Sequence, residues 1–157
     1  MTYSYSAAVE ASLERVAELG EDPTDLVYRR LFASNPEMEP LFWRDADGAI
    51  KGEMLSRVFA AILDFVGDRR YADHMIGTEM ITHEGYDVPR EVFATFFKVV
   101  GDTLREILGA GWTAEMDTAW RDMLADIDRY AERTPGADAV APRRELQRDE
   151  TAAASRG

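Results

Sequence analysis

The chain has 157 residues, of which 46 % are hydrophobic and 31 % charged, enough apolar material for one domain with a buried core. Its 30 acidic and 18 basic residues give a formal net charge of −12, which argues against nucleic acid or an anionic membrane as the main partner, since phosphate binding needs a basic footprint. The absence of cysteine removes disulfides, thiolate zinc sites, cysteine nucleophiles and iron–sulfur clusters together.

Helical spacing dominates and strand alternation is nearly absent. A first helix is expected over residues 6–19, with Val9, Leu13 and Val16 on one face and Gly20 as its stop. Asp22, Pro23 and Asp25 open a second, as cap, first-turn proline and anion at the positive end of the helix dipole. It carries Leu26, Val27, Tyr28, Leu31 and Phe32 and ends by Asn35, because Pro36 disfavours helical geometry before it. Residues 37–43 are apolar but broken by Pro40, a short helix or turn, and residues 44–48 form a loop. The cleanest helix is expected over residues 51–66, with Lys51, Met54, Leu55, Val58, Phe59, Ile62, Leu63 and Val66 on one broad face.

Residues 68–85 are less regular, and Tyr71, Ile76, Met80 and Ile81 suggest an interrupted helix. Asp87, Val88 and Pro89 begin another, with Val92, Phe93, Phe96, Phe97, Val100, Leu104, Ile107 and Leu108 as its stripe. Gly109, Ala110 and Gly111 form a hinge, and Thr113 caps a last helix bearing Met116, Trp120, Met123, Leu124, Ile127 and Tyr130. The expectation is an all-α domain of six to eight helices over residues 1–133, followed by a mobile Pro/Ala/Gly and charge-rich tail over residues 134–157. No apolar run reaches the roughly 20 residues of a membrane span. No secretory leader opens the sequence either, so a cytoplasmic location is expected.

Few residues offer chemistry. There is no Glu-x-x-His pair, His-Glu-x-x-His, phosphate loop or serine-nucleophile motif. His74 and His83 lie on opposite faces of one helix, because each residue turns the chain by about 100°. His83 shares its face with Ile76 and Met80 and so points inward. An inward histidine is either a hydrogen-bonded core residue or an imidazole ligand to a metal in an apolar pocket. The stripes are rich in Phe and Met, which suits either a plain core or the lining of a flat aromatic cofactor.

The order of three segments resembles the bacterial globins, in particular single-domain and flavohaemoglobin-type members. The first is a helix with Tyr28 and Phe32, then Asn35-Pro36-Glu37, with Phe42 six residues after the proline. The second is His83, a short corner through Tyr86 and Val88, Pro89, and a helix opening on Phe93. The third is Leu108-Gly109 followed by Trp112-Thr113 and Ala119-Trp120. The resemblance implies a globin fold around haem b (iron protoporphyrin IX), with His83 as the proximal iron ligand and Phe42 packed on the porphyrin. It places Tyr28 as a hydrogen-bond donor to a bound diatomic gas and makes Met80, Tyr86, Val88 and Phe93 cofactor contacts. Aligning Leu55 with the family's apolar pocket residue puts Lys51 at the distal position, while a slip of three residues puts Met54 there. Arg69, Arg70 and Tyr71 are candidates for the propionates.

The expected function is reversible binding of dioxygen or another diatomic gas by a monomer or homodimer. One alternative is a nitric oxide dioxygenase drawing electrons from an external reductase, since none follows in this sequence and Phe93 lacks the hydroxyl that flavohaemoglobins carry there. The other is a haemless globin-like sensor or interaction module.

Overall fold

The computed structural model describes residues 3–86 and 88–133; residues 134–157, expected as a tail, lie outside the described residues. The chain forms α1 (Ser6–Leu19), α2 (Thr24–Ser34), a 3-10 segment (Pro36–Phe42), α3 (Ala49–Val66), α4 (Ala72–Gly85), α5 (Arg90–Leu108), a 3-10 turn (Gly109–Gly111) and α6 (Ala114–Arg133). Among the described residues there is no strand, as the spacing predicts.

Local chemistry sets the ends of the helices. Gly20 takes φ +68° after α1 and donates its N–H to the Ala17 carbonyl at 3.1 Å, a left-handed stop that glycine adopts without strain. Before α2, Asp22 accepts the Thr24 N–H at 3.0 Å. Before α6, the Thr113 hydroxyl accepts the Met116 N–H at 3.1 Å, the cap expected there.

Two helices differ from expectation. α4 is continuous rather than interrupted. Ala72 and Met80 face the core, Met75, Glu79 and His83 face a cavity, and Ile76 is buried between the two, so its apolar residues form no single stripe. On α3, Leu63 is 47 % exposed, whereas Phe65 and Ala61 are fully buried. The core-facing set is Leu55, Ile62, Phe65 and Val66, rotated from the stripe that the sequence suggests.

The core sits between α5 and its neighbours α1, α2, α4 and α6. Its tightest point is Trp120, whose indole N–H donates to the Ser12 hydroxyl at 2.9 Å while that hydroxyl donates to the Val9 carbonyl at 2.6 Å. The pinned indole lies flat against Gly101, where a Cβ would meet Trp120 Cε3 at 2.8 Å. Glycine here is a requirement of close helix approach, not of backbone freedom.

Two polar devices join α3 to α4. Asp64, near the end of α3, accepts the N–H groups of Arg70 at 3.1 Å, Tyr71 at 3.0 Å and Ala72 at 2.8 Å. Burial pushes its carboxyl up, but these three bonds together hold it below the ordinary carboxylate range. Arg69, in the same link, adopts φ +51°, uncommon for a residue with a side chain. Its guanidinium lies 3.8 Å from the Tyr3 ring centroid and 3.7 Å from that of Phe65, and it donates to the Tyr5 hydroxyl at 2.8 Å and the Phe65 carbonyl at 2.9 Å. The cation is therefore committed to clamping the N-terminal segment onto the end of α3.

Two glycines within helices give opposite predictions. Gly101→Ala overpacks a site with a fixed neighbour and is expected to destabilise by roughly 1–3 kcal/mol, against the usual helix preference for alanine. Gly52→Ala meets open space on α3 and is expected to stabilise by roughly 0.5–1 kcal/mol. Urea unfolding of both variants checks the pair of signs.

Asp64→Ala is expected to cost roughly 0.5–2 kcal/mol at neutral pH, the range for losing a side-chain acceptor of helix-start N–H groups. The folded carboxyl is depressed, so its contribution is complete above the unfolded value of about 3.9 and fades as pH falls through the lower folded value. The gap between parent and variant should be constant at neutral pH and close in acid, as read from unfolding midpoints across that window.

Candidate functional site

A cavity of about 600 Å³ lies between α2, the Pro36–Phe42 segment, α3, α4 and the start of α5. That volume is within the ~300–1,000 Å³ of small-molecule sites. Its walls are mostly apolar: Leu31, Met38, Phe42 and Leu41 on one side, Ile50, Met54, Val58 and Ala61 from α3, Met75 and Ile76 from α4, and Val92, Phe93, Phe96 and Phe97 from α5. The polar groups in the lining are few, namely Tyr28, Arg44, Asp45, Arg57, Glu79, His83 and Tyr86.

His83 lies partly buried in this wall, while His74 on the far face is exposed, as the helical spacing predicts. The His83 Nδ1 lies 2.7 Å from the Glu79 carbonyl oxygen, one turn back on the same helix. A carbonyl only accepts, so Nδ1 carries the proton and Nε2 of the neutral ring keeps a free lone pair. The Phe93 ring packs against the imidazole with centroids 5.1 Å apart, and the Glu79 carboxylate stands 3.7 Å from Nδ1. A carbonyl bond and an aromatic stop together orient the ring, the arrangement found around metal-ligating imidazoles.

Tyr28 is 2 % exposed, yet its hydroxyl has no hydrogen-bond partner. Phe32, Phe42 and Phe96 surround its ring at centroid distances of 5.9, 5.4 and 5.6 Å. Burial first, and the nearby Asp45 carboxylate second, push the phenol well above its ordinary value, so it stays protonated and available as a donor. Asp45 itself is spent on the start of α3, accepting the Ile50 and Lys51 N–H groups at 3.0 Å each.

Of the residues singled out from the sequence, the cavity brings together Tyr28, Phe42, Met54, His83, Tyr86, Val88 and Phe93. Lys51, Leu55 and Met80 are not in its lining. The Lys51 ammonium lies over the Phe32 and Phe42 rings, 5.8 and 5.7 Å from their centroids. Leu55 and Met80 are buried in the core. α3 is apolar around much of its circumference, so spacing alone admits two registers three residues apart. The structure turns Met54 and Val58, not Lys51 and Leu55, toward the cavity. Arg69, Arg70 and Tyr71 are also outside the lining, with Arg69 engaged in its clamp.

Sequence reasoning missed Arg44, Asp45, Arg57 and Glu79. For Glu79 a signal existed, since a carboxylate four residues before His83 shares its helix face. Asp45 reads as loop composition until its bonds to α3 are seen. Among the described residues no three His, Cys, Asp or Glu side chains converge on a point.

The family model for Globin matches residues 25–129, two thirds of the chain, and so spans every wall of this cavity. No curated protein and no solved structure gives a significant match.

The buried, unpartnered hydroxyl of Tyr28 costs the ligand-free protein a desolvation penalty. Tyr28→Phe keeps the ring and removes that group, so the ligand-free variant is expected to be more stable by roughly 1–3 kcal/mol in urea unfolding. A hydroxyl that packs favourably as it stands would give the opposite sign.

Proposed function

The chain belongs to the globin family, and on that premise we propose that its cavity holds one haem b through His83 and takes up dioxygen or another diatomic gas reversibly. The observation that carries this reading is the imidazole: Nδ1 is committed to the Glu79 carbonyl, which leaves the Nε2 lone pair for the metal on a residue that lines a cavity of about 600 Å³. The fit extends to the other polar atom without a partner, the Tyr28 hydroxyl. Haem would supply there an iron centre that His83 could hold and that could take up a diatomic gas.

This chain's residues do the rest. Phe42 offers a ring to pack on the porphyrin face, and Phe93 restrains the imidazole from the side. The apolar residues of α3 and α5 make the cavity lining mostly hydrocarbon, which disfavours water there. Tyr28, kept protonated by burial, would be a donor to a ligand that gains negative charge when bound. Arg44 and Arg57 bring positive charge to the lining, suited to the propionates of the cofactor. The same Tyr28 donor favours a second reading, nitric oxide dioxygenation with electrons from a separate reductase, because that chemistry also needs dioxygen held and oriented.

Titration with hemin tests the reading directly. One equivalent is expected to bind with a sharp Soret band. His83→Ala should lose that spectrum and His74→Ala should keep it. A chain that stays colourless in excess hemin is the haemless module instead. In the reduced protein, Tyr28→Phe should speed dioxygen release by about 10- to 150-fold, the equivalent of losing a hydrogen bond of roughly 1.5–3 kcal/mol. Carbon monoxide release should change far less, because that ligand carries little charge. Stopped-flow measurement of both gases decides whether the hydroxyl acts on the ligand.

A further inference from the structure

We infer that, given the haem site proposed above, the Met54 thioether is the second axial ligand of the resting iron, so that an incoming gas must displace a side chain of the protein itself. α3 presents five residues to the cavity, and among them only Met54 carries an atom with a usable lone pair. Ile50, Val58 and Ala61 are hydrocarbon, and the Arg57 guanidinium stays protonated and accepts nothing. Lys51, the alternative on this helix, is occupied over aromatic rings outside the lining.

Tyr28 is the other donor atom on the gas side, but a phenol that keeps its proton is a poor ligand to iron and a good hydrogen-bond donor. The cavity holds two more thioethers, Met38 and Met75. Met75 stands on α4, the helix that carries His83, and Met38 is buried in the Pro36–Phe42 segment. Met54 alone of the three stands on α3, a wall of the cavity separate from α4 and its His83. Its side chain is unbranched, and rotation about three bonds lets the sulfur reach the iron or withdraw without moving the helix. Sulfur opposite imidazole is a stable axial pair for haem, and it raises the reduction potential.

Three consequences separate this from an iron with an open position. The oxidised holoprotein is low-spin and shows the sulfur-to-iron charge-transfer band at the red end of the visible spectrum. Carbon monoxide binding to the reduced protein levels off as gas concentration rises, limited by release of the thioether. The potential falls when the sulfur is removed.

The experiment compares the haem-loaded full chain with Met54→Leu, a swap of similar volume, and with Met75→Leu and Met38→Leu. Stoichiometric haem uptake is first established for each by Soret titration. The expected result is that Met54→Leu alone loses the charge-transfer band, turns high-spin and binds carbon monoxide at a rate that rises linearly with concentration. A high-spin parent overturns the inference without any variant. So does a band that survives Met54→Leu, or one that vanishes in Met75→Leu or Met38→Leu. Normal haem uptake with a spectrum indifferent to Met54 defeats this inference alone. Failure of every protein to take up haem defeats the haem reading and this one with it.

Discussion

Asp64 ties the end of α3 to the start of α4, and both helices line the cavity. Two carboxylate oxygens take the N–H groups of Arg70 and Tyr71 in the link and of Ala72, the first residue of α4. His83 lies eleven residues further along α4, about 16 Å at the helical rise. The bonds that fix this link therefore lie well away from the imidazole carried by the same helix. Arg69 reinforces the same link from the other side, accepting an unusual backbone conformation in exchange for two aromatic faces and two hydrogen bonds.

The helices divide their surfaces between holding the protein together and keeping a space open. α5 shows this most clearly. Its first turns give Val92, Phe93, Phe96 and Phe97 to the cavity, and its later turns give Val100, Gly101 and Leu104 to the core. The core half is packed to contact, with an indole pressed on a glycine and fixed by a serine. That density on one side offsets the dispersion contacts that the lining of an apolar cavity forgoes on the other.

Most of the fold was legible because helices are local. Gly20, Asp22, Pro36 and Thr113 mark boundaries by chemistry that acts within four residues, and the structure ends or starts helices beside each. Rotation of a helix about its axis is not local. α3 is apolar over too wide an arc for spacing to say which residues meet the cavity, and only its packing against α1, α2 and α4 places Met54 there and Lys51 elsewhere. The irregular pattern over residues 68–85 hid a regular helix for a related reason, since α4 serves the core and the cavity on different sides. That Tyr28 has an unsatisfied hydroxyl is a fact about its neighbours, and no property of the tyrosine announces it.

An apolar hollow of about 600 Å³ also ties the lifetime of the chain to the supply of what fills it. An occupant that binds only the folded state adds stability by mass action, about 2.7 kcal/mol at a hundredfold excess over its dissociation constant. For a domain whose whole margin is on the order of 5–15 kcal/mol, that is a substantial share. The unfilled form opens more often and spends more time exposed to proteases and to aggregation. Abundance would then follow occupancy with no dedicated regulator, the filled protein accumulating and the unfilled protein being cleared.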